Sequence, residues 1–257
     1  MDKRIPFKML PSDEQLPPSG EAGPSAATGT AESEYPRPAQ DDAAAVDAEL
    51  HRLRELILTM GDLVDAAISQ ATLGLVNRDP ELCNRVIGDD HHVNERQREA
   101  GEICFNLLRH GVPGPVPLRQ TLGFLHMSAE LERMADHCVN ISRIGRTLAD
   151  FPDLRQTVDI PLMSQLCAEQ VRDMLGALVA RDVRRAREVA ARDDRIDRVY
   201  NRLLDDLLHL MIDDSSTVFR ATNYVLVAHN LERIADRVTN LAEDLVFVET
   251  GEIQELG

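Results

Sequence analysis

One ten-residue phrase is written twice in this chain, a hundred residues apart: residues 131–140 read LERMADHCVN and residues 231–240 read LERIADRVTN. A duplicated phrase at a fixed offset marks a duplicated structural unit, which constrains the fold before any single helix is assigned. Around the second copy, Val227, Leu231, Ile234, Val238, Leu241, Leu245 and Val248 alternate steps of four and three. Around the first, Met127, Leu131, Met134, Cys138, Ile141, Gly145 and Leu148 do the same. That is the heptad-like stripe of a helix with one buried side. One position past each seam runs a polar strip: Glu132, Asp136 and Asn140, then Glu232, Asp236 and Asn240. Residues four apart lie nearly above one another on a helix, where like charges repel by a few tenths of a kcal/mol. Something other than helix propensity must favour them.

The rest of the chain follows the same plan. From residue 47 a helical period runs to residue 76, where Asn77-Arg78-Asp79-Pro80 breaks it. Asp79 suits an N-cap and Pro80 a first helical position. A second helix is predicted over 80–109 and a third over 118–148. The second half predicts helices over 159–180, 183–212 and 217–248, with Arg181-Asp182 repeating the break and Gly251 available as a C-terminal cap. Short connections make successive helices antiparallel neighbours. The expected class is all-α: two pseudo-symmetric three-helix bundles, six long antiparallel helices in all, over residues 45–152 and 153–257. Residues 1–44 are rich in Pro, Gly, Ser, Ala and Glu, and read as a disordered tail with Ile5-Pro6-Phe7 as a possible docking peptide.

Composition narrows the function. A net charge of -16 argues against nucleic acid as a main partner and suits cations, basic protein surfaces or plain solubility. Cys83, Cys104, Cys138 and Cys167 are scattered without a CxxC pair, which points to a reducing compartment. The start MDKRIPFKML lacks a signal-peptide apolar run, and no stretch of about 18 consecutive apolar residues predicts direct membrane insertion. A cytoplasmic, soluble protein is expected.

A second polar pair precedes each copy of the phrase: the acids Asp193 and Asp197 in one half, and Asp90 with Asn94 at the aligned positions in the other. If the helices carrying Asp193, Asp197, Glu232 and Asp236 are neighbours, four carboxylates converge and need a counter-charge. A metal ion supplies one; oxygen donors suit Mg, Ca or Mn, and carboxylate-rich helical sites also hold iron. In the first half Asn94 leaves Asp90, Glu132 and Asp136, with His91, His92 and His137 as candidate nitrogen donors that would favour zinc or iron. The plainer reading is a solvated polar strip paired with Arg133 and Arg233.

The two phrases, extended to LERIADRVTNLAEDLVFVETGE in the second copy, resemble the PhoU family signature. The likeness includes the two RD breaks, VIGDDHHVN and VAARDDRID, and Pro117-Leu118-Arg119, and covers residues from about 47 to 252. The resemblance implies a cytoplasmic regulator of phosphate uptake. Such a protein connects the ATPase subunit of a phosphate ABC transporter to a membrane-bound sensor histidine kinase and holds the phosphate-starvation response off. It also implies two three-helix bundles, a homodimer, and metal held by E/DxxxD motifs, with Fe, Zn or Mg as the ion and Mn admitted by the oxygen donors. Carried over by position, the metal set is Asp90, Asn94, Glu132 and Asp136 in one half and Asp193, Asp197, Glu232 and Asp236 in the other. Asn94 departs from the family's carboxylate. The rival is a carboxylate-bridged metal oxidase or hydrolase, which needs paired Glu-x-x-His motifs; only a single Asp206-to-His209 spacing comes near. A third reading is a purely structural coiled-coil dimer.

Overall fold

The structure, a computed structural model, describes residues 40–152, 154 and 159–256, with side chains from Ala43 onward. The chain order is α1 (Gln40–Val76), α2 (Pro80–Asp89), α3 (His91–His110), α4 (Pro115–Leu148), α5 (Ile160–Ala180), α6 (Val183–Ala190), α7 (Asp193–Asp213), a short 3-10 turn (Ser215–Thr217) and α8 (Val218–Thr250). No strand occurs among the described residues. The first repeat is α1 to α4 and the second α5 to α8, each a three-rod bundle whose middle rod is broken in two. The repeats join through α4 against α8 and α1 against α5, so one continuous apolar core runs through both.

The caps follow the sequence. Asp79 Oδ1 accepts the Leu82 amide at 2.9 Å, and Asp182 Oδ1 accepts the Arg185 amide at 3.0 Å. Arg78 and Arg181, at matching places before these caps, adopt φ of 51° and 54°. A left-handed residue of this kind ends a helix and satisfies its last carbonyls. Gly251 closes α8 with φ 82°, its amide bonded to the Phe247 carbonyl.

Two boundaries differ from expectation. α1 starts at Gln40, so residues 40–44 are helical and not part of a tail; Ala43, Ala44 and Ala45 favour helix strongly. The remainder of the predicted tail, with Ile5-Pro6-Phe7, lies outside the described residues. The helices expected over 80–109 and 183–212 are each two helices. The breaks fall at Asp90 and at Ala191-Arg192, where amides bond three residues back: Val93 to the Asp90 carbonyl at 3.0 Å, Arg192 to Val189 at 3.1 Å and Arg195 to Arg192 at 3.0 Å. Tighter bonds of that kind redirect a helix without ending its apolar period. α1 also contains a stretch of mean hydropathy 1.3, apolar and long enough by composition to cross a membrane. Its Leu53, Ile57, Met60, Val64, Ile68 and Leu75 are all buried in the core, which accounts for that apolarity.

Both seams are buried along their whole length. Close approach of the repeats uses glycine: a side chain at Gly61 would collide with Leu175, and one at Gly123 with Val248. Beside Gly123, the α4–α8 contact holds a buried carboxylate. Glu130 is 1% exposed and accepts from Arg133 Nη1 at 2.7 Å, Arg237 Nη1 at 3.1 Å and Asn240 Nδ2 at 2.9 Å. Burial alone would push its carboxyl up, but Asn240 and the two guanidiniums outweigh burial and hold it below the usual range. The matching positions in the other repeat, Asn230 and His137, also meet, with His137 Nδ1 donating to Asn230 Oδ1 at 2.9 Å. The repeat thus places a charged pair on one side of its pseudo-twofold axis and a neutral pair on the other. Nearby, His126 Nδ1 donates to Asp244 at 2.8 Å, and His126 Nε2 lies 3.8 Å from Glu130 Oε1.

Two outcomes follow. Glu130→Ala strands the Arg237 side chain, 17% exposed, without its charge partner, and is expected to cost about 3 kcal/mol in a urea melt; a loss under about 1 kcal/mol would contradict the pairing. Asp244 is pushed up to about 6 by burial, while its hydrogen bond raises the His126 imidazolium. Both folded values lie above the unfolded ones. Their contribution is therefore complete at low pH and is lost as pH rises through about 6 and beyond. Stability measured at pH 5.5 and 8 should fall across that window, and Asp244→Asn should flatten the fall; an unchanged slope in the variant would reject the assignment.

Candidate metal centre

The seams decide where the acids go. Leu231, Ile234, Ala235 and Val238 are fully buried, so Glu232 and Asp236, one residue further round α8, emerge at the edge of the core and are half-buried. α7 packs against that edge. The break at Ala191-Arg192 makes Asp193 the first residue of α7, with Asp197 one turn on.

The second half brings its four predicted carboxylates into one electrostatic cluster. Asp193 is pushed up to about 6, first by burial and then by the charges of Asp197, Asp236 and Glu232. Burial and Asp236 raise Glu232. Burial raises Asp236 despite Arg233, which donates to its Oδ2 at 2.7 Å. Asp193 Oδ1 and Glu232 Oε2 are buried without a hydrogen-bond donor, although His229 Nδ1 stands 3.3 Å from the latter. Buried oxygens of this kind cost about 1–3 kcal/mol each when nothing meets them.

The first half repeats the arrangement on a smaller scale. Asp90 sits at the break between α2 and α3, and its Oδ1 is likewise buried without a donor. Burial and the Asp136 charge raise it. Glu132 is raised by burial, Asp136 and Asp90. Asn94 turns its amide to Asp90, Nδ2 donating to Oδ2 at 2.7 Å, so only its carbonyl oxygen is left to offer a cation. Asp136 is the most exposed of the set's first-half acids, and Asp197 is exposed in the second.

In donor type the residues present suit a hard cation: all the predicted donors are oxygens, and three of them are buried without a hydrogen-bond donor. In the second half Asp193, Asp197, Glu232 and Asp236 would hold it; in the first, Asp90, Glu132, Asp136 and the Asn94 carbonyl. Bound there, a cation would supply the counter-charge that lets the cluster stay ionised. Among the described residues no three of these carboxylates offer oxygens that all lie within 4.8 Å of one another. Among the described residues, the three His, Cys, Asp or Glu side chains whose donor atoms all lie within 4.8 Å of one another are His91, His92 and Glu95.

Several expected participants lie elsewhere. Asn240, third in its strip, is taken by Glu130 across the repeat contact. His137 faces Asn230 on α8 and not Asp136. Arg133 pairs with Glu130, whereas Arg233 pairs with Asp236 as the strip reading allows. Glu130 itself was not singled out by periodicity. Its signal is a mismatch between the repeats: Glu130 and Arg237 replace Asn230 and His137, a complementary pair where the other half is neutral.

Chemistry based on a thiol is disfavoured. All four cysteines are free and buried. Burial pushes the Cys104 thiol up to about 11 and raises those of Cys138 and Cys167 further, which suppresses the thiolate.

Comparison with known proteins agrees with this architecture. A PhoU domain is matched over residues 57–145 and again over 160–245. The chain is 32% identical over 207 residues to the "Phosphate-specific transport system accessory protein PhoU homolog" of Zymomonas mobilis, covering 80% of this chain and 87% of that protein. It is 31% identical over 210 residues to the same-named protein of Streptococcus pneumoniae, covering 82% and 97%. The crystal structure of PhoU from Pseudomonas aeruginosa superposes with a TM-score of 0.77 at 27% identity, covering 80% of this chain and 99% of that one. The phosphate transport system regulatory protein PhoU from Streptococcus pneumoniae superposes with a TM-score of 0.75 at 31% identity, covering 81% and 99%. The chain belongs to the PhoU family.

Replacing one acid of the second cluster by its neutral isostere should relieve repulsion. The rise of Asp193 to about 6 corresponds to about 3 kcal/mol, and solvent screening at this half-exposed group reduces it to about 1. Asp193→Asn in metal-stripped protein is expected to raise the melting temperature at pH 8; a lowered one would show that Asp193 is held by attraction.

Proposed function

We propose that this PhoU-family chain is a cytoplasmic regulatory adaptor without chemistry of its own. It links the ATPase subunit of a phosphate ABC transporter to a sensor histidine kinase and restrains starvation signalling when phosphate is plentiful. The observation that carries this reading is family membership over both repeats, with relatives named as accessory and regulatory proteins of phosphate transport. The site chemistry points the same way. Among the described residues the clustered acids act on one another with no available thiolate beside them, an arrangement that binds a cation more readily than it turns over a substrate. Fe, Zn, Mg or Mn is the candidate ion. Its role in this reading is to clamp α7 to α8, and α3 to α4, so that occupancy biases the shape offered to a partner.

Apolar side chains are exposed near the α3–α4 and α7–α8 turns, among them Phe105 at 64%, Ile212 at 80% and Phe219 at 50%. Exposed apolar surface of this kind supplies contact area for partners, including a second copy of the chain in a homodimer.

The test is capture of purified, tagged protein with the cognate kinase and, separately, with the transporter ATPase subunit. Retention of both is expected, with Phe105→Ser or Ile212→Ser weakening at least one. Retention of neither would reject the adaptor role.

A further inference from the structure

A separate donor set stands on the solvent side of α3. His91 and His92 are its first two residues and Glu95 follows one turn after His91. Successive residues advance about 100° around a helix. Asp90 and Asn94 therefore look toward the acidic cluster, while His91 and Glu95 occupy the next face round, away from the buried Val93 and Ala100. One donor atom from each of His91, His92 and Glu95 lies within 4.8 Å of the other two, close enough for a single ion to touch all three. The two imidazoles cross with ring centroids 3.9 Å apart.

A second observation sets the chemistry of the site. His91 Nδ1 lies 2.6 Å from the Gly88 carbonyl oxygen. A carbonyl only accepts, so Nδ1 carries the proton and the Nε2 lone pair is left free. A backbone carbonyl behind a ring nitrogen is the arrangement that orients an imidazole for metal and raises its basicity. That carbonyl belongs to the end of α2, so the break at Asp90 is what presents it to the His91 ring.

We propose that His91, His92 and Glu95 form a surface site for one borderline transition-metal ion, with zinc as the expected occupant. Two neutral imidazoles and one carboxylate are the donor set that zinc accepts with a fourth position left to water. Hard ions such as Mg2+ prefer oxygen and keep their waters, so they do not compete for it. The site uses none of the cluster's own ligands, although His91 adjoins Asp90 and acts on it electrostatically, and it does not rest on the adaptor reading. Its position makes it a brace across the α2–α3 break, from the Gly88 carbonyl to Glu95.

The experiment titrates Zn2+ alone into full-length, metal-stripped protein held in millimolar Mg2+, which occupies oxygen-only sites. Equilibrium dialysis gives the affinity, and nitrogen-15 spectra of the histidine rings report the ligands. The expected result is a zinc that survives Mg2+ and moves the His91 and His92 ring signals. A His91→Gln/His92→Gln double variant, with unchanged circular dichroism because both rings are at the surface, should weaken zinc about tenfold or more. Asp136→Asn and Asp236→Asn should leave the response of the ring signals to zinc unchanged. Zinc bound by the double variant as tightly as by the parent, or ring signals that do not move, would overturn the proposal. Loss of zinc in the two Asp variants alone would assign it to the carboxylates and overturn it equally. A protein that binds zinc in this way but shows no Mg2+ binding would keep this site while losing the carboxylate one.

Discussion

The burial of the α4 and α8 seams against each other sets the rest of the structure. Side chains on a helix are fixed relative to one another, so once Leu131, Met134, Leu231, Ile234 and Val238 are inside, the residue after each leading leucine has one place to go. Glu132 and Glu232 emerge at the core's edge, and the neighbouring rods arrive there carrying Asp90 and Asp193. Rotating either helix by one residue would turn its acids into the core and its leucines into water. The magnitudes decide the contest. Each buried Leu, Ile or Val contributes about 1.5–3 kcal/mol, whereas repulsion between acids one turn apart costs a few tenths. The fold can therefore carry an unfavourable acidic cluster in each repeat without losing its register.

The clusters differ in kind from the other buried charge. Glu130 has three donors around it and is held ionised; it cements the repeats with both of its oxygens already met. Asp90, Asp193 and Glu232 have buried oxygens that receive no hydrogen bond from the protein. The same side-chain chemistry is closed at one place and open at two others, and the open ones sit at matching positions of the duplicated unit. That contrast separates a structural ion pair from carboxylates left without a hydrogen-bond donor at the core's edge.

Much of this was legible because it is periodic. The seams, the caps at Asp79 and Asp182 and the closing Gly251 depend on local spacing and local hydrogen bonds. The helix breaks at Asp90 and Ala191-Arg192 were not legible, since a switch to three-residue bonds leaves the apolar period intact: Val86 and Val93 are both buried on either side of the first. The early start of α1 was missed because Ala43 to Ala45 have high helix propensity but no amphipathic pattern. Asn240 looked like a third member of the acidic strip, and only its approach to Glu130, 110 positions away in the chain, shows otherwise. His137 was misplaced for the same reason, as its partner Asn230 is 93 positions distant. The convergence of the acids followed from an assumed packing of neighbours; their spread, wider than the compact set at His91, His92 and Glu95, did not.

The central claim is that each repeat carries its own cation site, assembled across the edge of the α4–α8 contact. Metal content of the purified protein, compared with Asp136→Ala and Asp236→Ala, tests it most directly. The account predicts that each substitution removes the metal of its own half and spares the other, with the double variant binding neither. Equal metal content in all four proteins would contradict it.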